Sequence, residues 1–242
     1  MCGRFVSTSS PADLAAWFGA DVGVEDPLDD DYNVAPTDDV YVVRPDGRER
    51  RVVEAYHWGL VPPWAKDAKV GSRMINARAE TLATKGAFKP AFLARRCLVP
   101  AAGFYEWAEV PGVARKQPYF VHDPDGAPYA FAGLWEEWHR RGGERTDALR
   151  STTIVTTTAN DPMAALHDRM PVILPPEAWD AWLDPEEDDL DALGALLVPA
   201  PAARTALRPV STEVNDVRHD GPHLVDEVEP LAAEPTLPGF DA

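Results

Sequence analysis

The sequence predicts an α+β fold, a single domain built around a mixed, barrel-like β-sheet with peripheral helices. Short apolar segments typical of strands outnumber helical ones and do not alternate with them in βαβ units, which favours this class over a parallel α/β sheet. The 242 residues suit one large domain, and a hydrophobic content of 45% with eight tryptophans indicates a packed core. Prolines (24) and glycines (16) are spread along the chain and separate many short segments.

Seven segments have the apolar, β-branched and aromatic composition of strands. They are Val40–Val43, Arg51–Trp58, Cys97–Val99, Tyr119–His122, Tyr129–Leu134, Thr153–Thr157 and Pro171–Leu174. Helix candidates are fewer. Ser10 is a helix cap followed by Pro11 in the first turn, and the amphipathic stretch after it runs through Phe18. Three further helix candidates are Asp161-Pro162 through His167, Pro175–Leu183 and Leu190–Leu197.

The chain shows no internal repeat, and we assign residues 1–225 to one domain. Residues 226–242 form an acidic, proline-rich tail whose last ten residues we expect to be poorly ordered.

The charge of the chain is strongly negative but unevenly distributed. With 40 acidic and 23 basic side chains the formal net charge is −17, which by itself argues against nucleic acid as a partner. Residues 1–43 carry −8, residues 44–96 carry +7, residues 97–174 carry −3 and residues 175–242 carry −13. The basic segment predicts a positive patch on an acidic body. The alternative is an uneven solvated surface without a partner.

The cysteine and hydropathy patterns indicate a reducing compartment. The two cysteines, at positions 2 and 97, do not make a disulfide framework, and no apolar run approaches the roughly 20 residues of a membrane span. Because the N-terminus lacks the apolar stretch of a signal peptide, we expect a cytoplasmic protein with no membrane partner, and a monomer as the simplest state. Neither metal-ligand spacing nor a phosphate-binding loop is present, so no metal and no cofactor is predicted.

Cys2 is the most reactive candidate residue. Methionine aminopeptidase removes an initiator methionine before a small residue, so we expect the chain to begin at Cys2. An N-terminal cysteine carries an α-amine with a pKa of about 7.7–8.0 beside a thiol with a pKa of about 8.5. An amine condenses with an aldehyde to a Schiff base, and the neighbouring thiol can then close a thiazolidine ring. The alternative is an arbitrary residue at a frayed terminus.

Three further side chains could support such chemistry. Asn76, in the basic segment, could orient a carbonyl or sugar through its amide, or merely cap a turn. Glu106 is flanked by aromatic residues, which favours partial desolvation and use as a general acid, although it could also face outward on a strand. His167 is suited to proton transfer near neutral pH, or it is a structural histidine.

Residues suited to binding lie beside these. Gly3 allows close backbone approach, and Arg4 is a permanent cation suited to phosphate. Trp64 follows Trp58 in a segment next to the basic residues, where an exposed indole could stack on a base and a buried one would be core.

Eight segments in register resemble the SRAP family, the SOS-response-associated peptidases or abasic-site processing proteins. They are Met1-Cys2-Gly3-Arg4-Phe5, Tyr32–Thr37, Trp58–Pro62, Ile75–Thr81, Phe88-Lys89-Pro90, Gly103–Trp107, Ala132–Trp135 and His167–Leu174, followed by Pro209–Ser211 and Val214-Asn215. The resemblance runs from residue 1 to about residue 225.

The resemblance implies that the chain senses abasic sites in single-stranded DNA and forms a thiazolidine crosslink through Cys2 once Met1 is lost by self-processing. It implies that Asn76 positions the amine and the deoxyribose, that Glu106 transfers protons, and that His167 catalyses ring opening or strand cleavage. The residues it places at the DNA interface are Gly3, Arg4, Asn33, Trp64, Arg78, Lys85, Thr156 and Arg169.

The chain departs from the family pattern at positions expected to contact DNA. Gly86-Ala87 stand where some members have an arginine, which leaves Lys85 as the nearest substitute. Some members have an arginine in place of Met170. Some members also have a run of tryptophans in the stacking loop, where this chain has only Trp64. Two alternatives stay open: a peptidase or amidohydrolase with an N-terminal cysteine nucleophile acting on proteins, and a non-covalent binding module.

Overall fold

The computed structural model describes residues 2–47, 50–140 and 148–232. These ranges contain thirteen strands and five α-helices, which confirms the α+β class. The strands are β1 (Phe5–Ser7), β2 (Ala20–Val22), β3 (Asp31–Val34), β4 (Asp39–Pro45), β5 (Arg51–Trp58), β6 (Asn76–Arg78), β7 (Arg96–Ala101), β8 (Gly103–Ala108), β9 (Gln117–His122), β10 (Tyr129–His139), β11 (Ala148–Thr158), β12 (Arg169–Pro171) and β13 (Ala206–Pro209). The helices are α1 (Pro11–Phe18), α2 (Lys89–Ala94), α3 (Asp161–Ala164), α4 (Trp179–Leu183) and α5 (Leu190–Ala195).

A five-stranded mixed barrel forms the centre of the domain. Its strands follow the order β11, β10, β7, β4 and β5, and β5 pairs in parallel with β11 to close the circle. The other four contacts are antiparallel. Beyond β5, the short strand β6 continues along the same edge of β11, so that Asn76 lies opposite Ile154. On the other edge, β12 takes over from β10 and pairs with Thr156–Thr158. The predicted barrel-like sheet is confirmed.

A second, antiparallel sheet covers one side of the barrel in the order β13, β9, β8, β1 and β3. The N-terminal strand β1 lies inside it, between β3 and β8. Its Phe5 ring meets the barrel residue Trp58 edge-on at 5.0 Å between centroids and Phe131 at 6.2 Å. Burial of these rings therefore fixes the start of the chain against the barrel.

Helix α1 follows the predicted capping pattern. The Ser10 hydroxyl accepts a hydrogen bond from the Asp13 backbone N–H at 3.1 Å, and Gly19 ends the helix in the left-handed conformation with φ of 61°. Phe18 is buried against Trp179, with 4.7 Å between ring centroids. The helix thus covers the barrel through its apolar face.

The bounds of other elements differ from the predictions. Helix α3 ends at Ala164 rather than reaching His167, because the chain turns there to begin β12. The predicted strand Pro171–Leu174 is wrong in its bounds, since β12 ends at Pro171 and Ile173 makes only an isolated bridge to Phe131. Residues 176–178 form a 3-10 turn before α4, and α2 has no counterpart among the predicted helices.

The C-terminal segment folds back over the N-terminal strand. Val214 and Leu224 are buried with Val6 and Tyr105 in a small core of their own. Beyond residue 225 the backbone N–H of Val228 still donates to Pro209, and that of Leu231 donates to the Gln117 side chain. The last ten residues of the predicted tail lie outside the described residues. Within the described ranges, no helix is long and apolar enough to cross a membrane.

Candidate active site

Cys2 is fully buried where the second sheet meets the barrel. The Asn76 side-chain amide donates a hydrogen bond of 2.6 Å to the Cys2 carbonyl oxygen, which fixes the backbone at Cys2. Burial raises the pKa of the Cys2 thiol, and the nearby negative charge of Glu106 raises it further. The thiol is therefore protonated near neutral pH. Met1, whose loss the sequence predicts, lies outside the described residues.

Strand pairing brings Asn76 and Glu106 to Cys2 from opposite sides. Asn76 begins β6 on the barrel, whereas Glu106 lies on β8 next to β1, with Phe104 opposite Phe5. The Glu106 side chain is buried, with 5% of its surface exposed, as its aromatic neighbours predicted. The Asn76 side-chain oxygen is buried and has no hydrogen-bond partner among the described residues. It can accept a hydrogen bond from an amine or a hydroxyl group held at Cys2.

His167 lies in the turn between α3 and β12 and is half-buried. Its Nδ1 is 2.9 Å from the backbone N–H of Arg169 and 2.7 Å from a carboxylate oxygen of Asp168. Nδ1 accepts from Arg169 when the ring is neutral and donates to Asp168 when the ring is charged. No hydrogen bond to Nε2 occurs within the described ranges, and the catalytic use of this histidine stays a prediction.

Two arginines lie beside β11, at the end nearest Asn76. Arg78 is exposed at the end of β6 and pairs in register with Thr156. Arg169 contacts both carboxylate oxygens of Glu80, at 2.5 and 3.0 Å, and donates to the Thr156 carbonyl at 2.6 Å. The hydrogen bond from Arg169 to the Glu80 carboxylate lowers the pKa of Glu80. The Arg169 Nε is buried without a hydrogen-bond partner in the described part of the chain.

Arg4 and Asn33 form a linked pair on the other side of Cys2. One guanidinium nitrogen of Arg4 donates to the Asn33 side-chain oxygen at 2.7 Å and to the Val214 carbonyl at 2.9 Å, and burial lowers the pKa of Arg4. Asn33 is itself buried and donates to the carbonyl oxygens of Asp216 and His219. The Asn33 side chain therefore holds Arg4 and the C-terminal segment in place. Its predicted contact with DNA stays a prediction.

The remaining candidate binding residues differ in exposure. Trp64 is 65% exposed, as base stacking requires, and Lys85 is exposed in the turn before α2. Gly3 is half-buried beside Cys2. Thr156 is fully buried, so that its hydroxyl faces the protein and a contact from this residue to a ligand has to come from its backbone.

The structure adds one residue that the sequence did not single out. Glu80 lies in the Asn76–Thr81 segment, but its pairing with Arg169, 89 positions away, depends on the joint pairing of β6 and β12 with β11. No group of three or more metal-ligating side chains occurs among the described residues.

The barrel, the covering sheet and the buried Cys2 define an α+β protein with a candidate site around Cys2. A model of the SOS response associated peptidase (SRAP) family matches residues 1–217, and the chain belongs to this family. It is 40% identical over 227 residues to the abasic site processing protein YoqW of Bacillus subtilis, covering 93% of this chain and 99% of that protein. It is 32% identical to the abasic site processing protein YedK of Escherichia coli, covering 94% and 100% respectively. A crystal structure from Bacteroides thetaiotaomicron shares the fold, with a TM-score of 0.82, 24% identity and coverage of 94% and 100%.

Proposed function

We propose that this protein processes abasic sites in single-stranded DNA and captures the opened sugar as a covalent thiazolidine at Cys2. The observation that carries the proposal is the position of Cys2, fixed by Asn76 through its carbonyl and flanked by the buried carboxylate of Glu106. The names of the relatives and the family membership support the same class of substrate.

The reaction requires that hydrolysis of the Met1–Cys2 bond frees the Cys2 amine. The amine attacks the aldehyde of the ring-opened deoxyribose, and loss of one water gives a Schiff base. The thiol sulfur then adds to the imine carbon while its proton passes to the nitrogen, which closes the five-membered ring. The amine is thus the first nucleophile and the thiol the second, because the thiazolidine ring closes by addition of the sulfur to the imine that the amine has formed.

The neighbouring groups have the remaining roles in proton transfer, orientation and DNA binding. Glu106 relays protons between the sulfur, the nitrogen and the departing water, and the free Asn76 oxygen orients the amine or a sugar hydroxyl. His167 supplies its Nε2 for opening the sugar ring. Arg4, Arg78 and Arg169 bind the flanking phosphates, and Trp64 stacks on a base. The protein acts as a cytoplasmic monomer at the nucleoid and without a cofactor.

Crosslinking to a defined oligonucleotide tests this proposal. Purified protein is incubated with a single strand that contains one abasic site, and the products are separated under denaturing conditions. We expect a stable adduct whose mass is the sum of the two components minus one water. A tetrahydrofuran analogue, which has no aldehyde, and the Cys2→Ala variant serve as controls and give no stable adduct. Turnover of peptide substrates without any DNA adduct would instead favour an N-terminal-cysteine peptidase.

A further inference from the structure

A groove lies on the barrel between the segment that joins β5 to β6 and the end of β10. It has a volume of about 490 Å³ and is lined by Lys66, Asp67, Ala68, Lys69, Trp138 and Arg140. The indole N–H of Trp138 donates to the Ala65 carbonyl at 2.8 Å and thereby fixes one wall of the groove to the other. This hydrogen bond therefore holds the groove in shape.

The groove is positively charged on a protein of net charge −17. Lys66, Lys69 and Arg140 are exposed, and none of them pairs with a carboxylate within residues 2–47, 50–140 and 148–232. The one acidic side chain of the lining, Asp67, accepts a hydrogen bond from the Lys69 backbone N–H at 2.9 Å. Three cations around one concave surface favour a ligand with several negative charges, such as a phosphodiester chain.

The strand register gives the separation of this groove and the candidate active site along the direction of β11. Asn76 lies opposite Ile154 on β11, and Trp138 lies opposite Leu149, five residues earlier on the same strand. At about 3.3 Å per residue this separation is about 17 Å. One DNA strand advances about 3.4 Å per nucleotide in a stacked helix, so the separation corresponds to about five nucleotides. The exposed Trp64 precedes both in sequence, two positions before Lys66 and eleven before Ile75.

We infer that this groove is a second DNA-binding site, which holds the phosphate backbone of the same strand about five nucleotides from the abasic residue. This inference rests on the proposed function for the identity of the strand. It makes affinity depend on the length of the DNA as well as on the lesion, and it explains how an acidic protein retains a hold on undamaged flanking sequence.

Binding of an undamaged 21-nucleotide single strand at several salt concentrations tests the groove without any crosslink. The Lys66→Ala/Lys69→Ala variant is compared with Arg115→Ala/Lys116→Ala, which removes the same charge from an exposed loop of the other sheet. Loss of two phosphate contacts makes the slope of log affinity against log salt less steep by about 1.4. Between 50 and 200 mM salt, the fold-loss of affinity is then ~7-fold smaller for the groove variant than for the wild type. The control variant keeps the wild-type slope.

Crosslinking to two abasic oligonucleotides separates this inference from the proposed function. With two nucleotides on each side of the lesion, the groove variant reacts as fast as wild type. With ten on each side, it reacts more slowly at subsaturating DNA. Unchanged slopes in the groove variant, or equal changes in the control, overturn the groove assignment. Failure of the wild type to crosslink the short oligonucleotide overturns the proposed function instead, whatever the salt slopes show.

Discussion

The Glu106→Gln substitution tests the proton-transfer role of the carboxylate beside Cys2. Glutamine has the same shape as glutamate and keeps the side-chain oxygen that accepts the Trp107 backbone N–H at 3.4 Å, but it cannot gain or lose a proton. General acid–base catalysis contributes roughly 10²–10⁴-fold to a rate. We therefore expect the crosslinking rate constant to fall at least ~100-fold, which corresponds to about 2.7 kcal/mol in the activation barrier.

Single-turnover crosslinking with protein in excess measures this rate constant, and fluorescence anisotropy with the tetrahydrofuran analogue measures DNA affinity. Affinity should change little, because the buried carboxylate does not face a phosphate in the proposed arrangement. Glu109→Gln is the matched control. Glu109 lies three positions after Glu106, is exposed, and among the described residues pairs only with Lys116. A rate for Glu106→Gln within threefold of both wild type and Glu109→Gln would refute the catalytic assignment.

Three further predictions concern the ion pair, the Cys97 thiol and the core. The pKa of Glu80 is lowered in the folded state, so its pair with Arg169 stabilises the protein above the ordinary glutamate pKa, and this contribution disappears as the pH falls through the lowered value. Because Glu80 is half-exposed, we expect Glu80→Gln to reduce the free energy of unfolding by less than ~1 kcal/mol at pH 7, and urea titrations at pH 7 and at acidic pH should show the difference shrinking as the pH falls. Burial raises the pKa of Cys97 to about 12, so iodoacetamide at pH 8 should not label this thiol until the protein is unfolded; rapid labelling of Cys97 in the native protein, read by peptide mass spectrometry, would contradict its burial in the barrel. Phe18→Ala should lower the free energy of unfolding by about 3–5 kcal/mol through loss of its contact with Trp179, whereas Trp17→Ala on the exposed face of α1 should change it by far less, and equal losses would show that the helix packs differently.

The longer strands of the barrel could be predicted from the sequence because their apolar side chains face the core on both sides. Their ends could not. β11 begins at Ala148 rather than Thr153 because Ser151 and Thr152 are buried as polar residues, with the Ser151 hydroxyl accepting from Val61 and that of Thr152 donating to Leu134. A hydroxyl buried with its partner is indistinguishable in sequence from an exposed one.

The three-residue strands β1, β6 and β12 exist only through tertiary pairing, and local composition carries no sign of them. They nevertheless place Cys2, Asn76 and Arg169 around the candidate site. The sequence could therefore indicate which residue types are suited to the chemistry, and the family resemblance could indicate which of them act together. It could not show that Asn33 is buried as the partner of Arg4, because their hydrogen bond joins two strands 29 positions apart.

Under the proposed function, the negative charge of the chain is expected to limit binding to undamaged DNA and thereby to favour the lesion. Cations at Arg78 and in the groove act against a net charge of −17, so weak and salt-sensitive binding precedes a covalent step that needs an aldehyde. Selectivity in this account comes from the chemistry at Cys2.

Peptide mapping of the purified DNA adduct by mass spectrometry tests that chemistry most directly. We expect the deoxyribose remnant to be attached to an N-terminal peptide that begins with Cys2 and lacks Met1, and the adduct to survive denaturation without borohydride reduction. Attachment at a lysine such as Lys85, or an adduct that persists only after reduction, would show a Schiff base elsewhere and contradict the thiazolidine at Cys2.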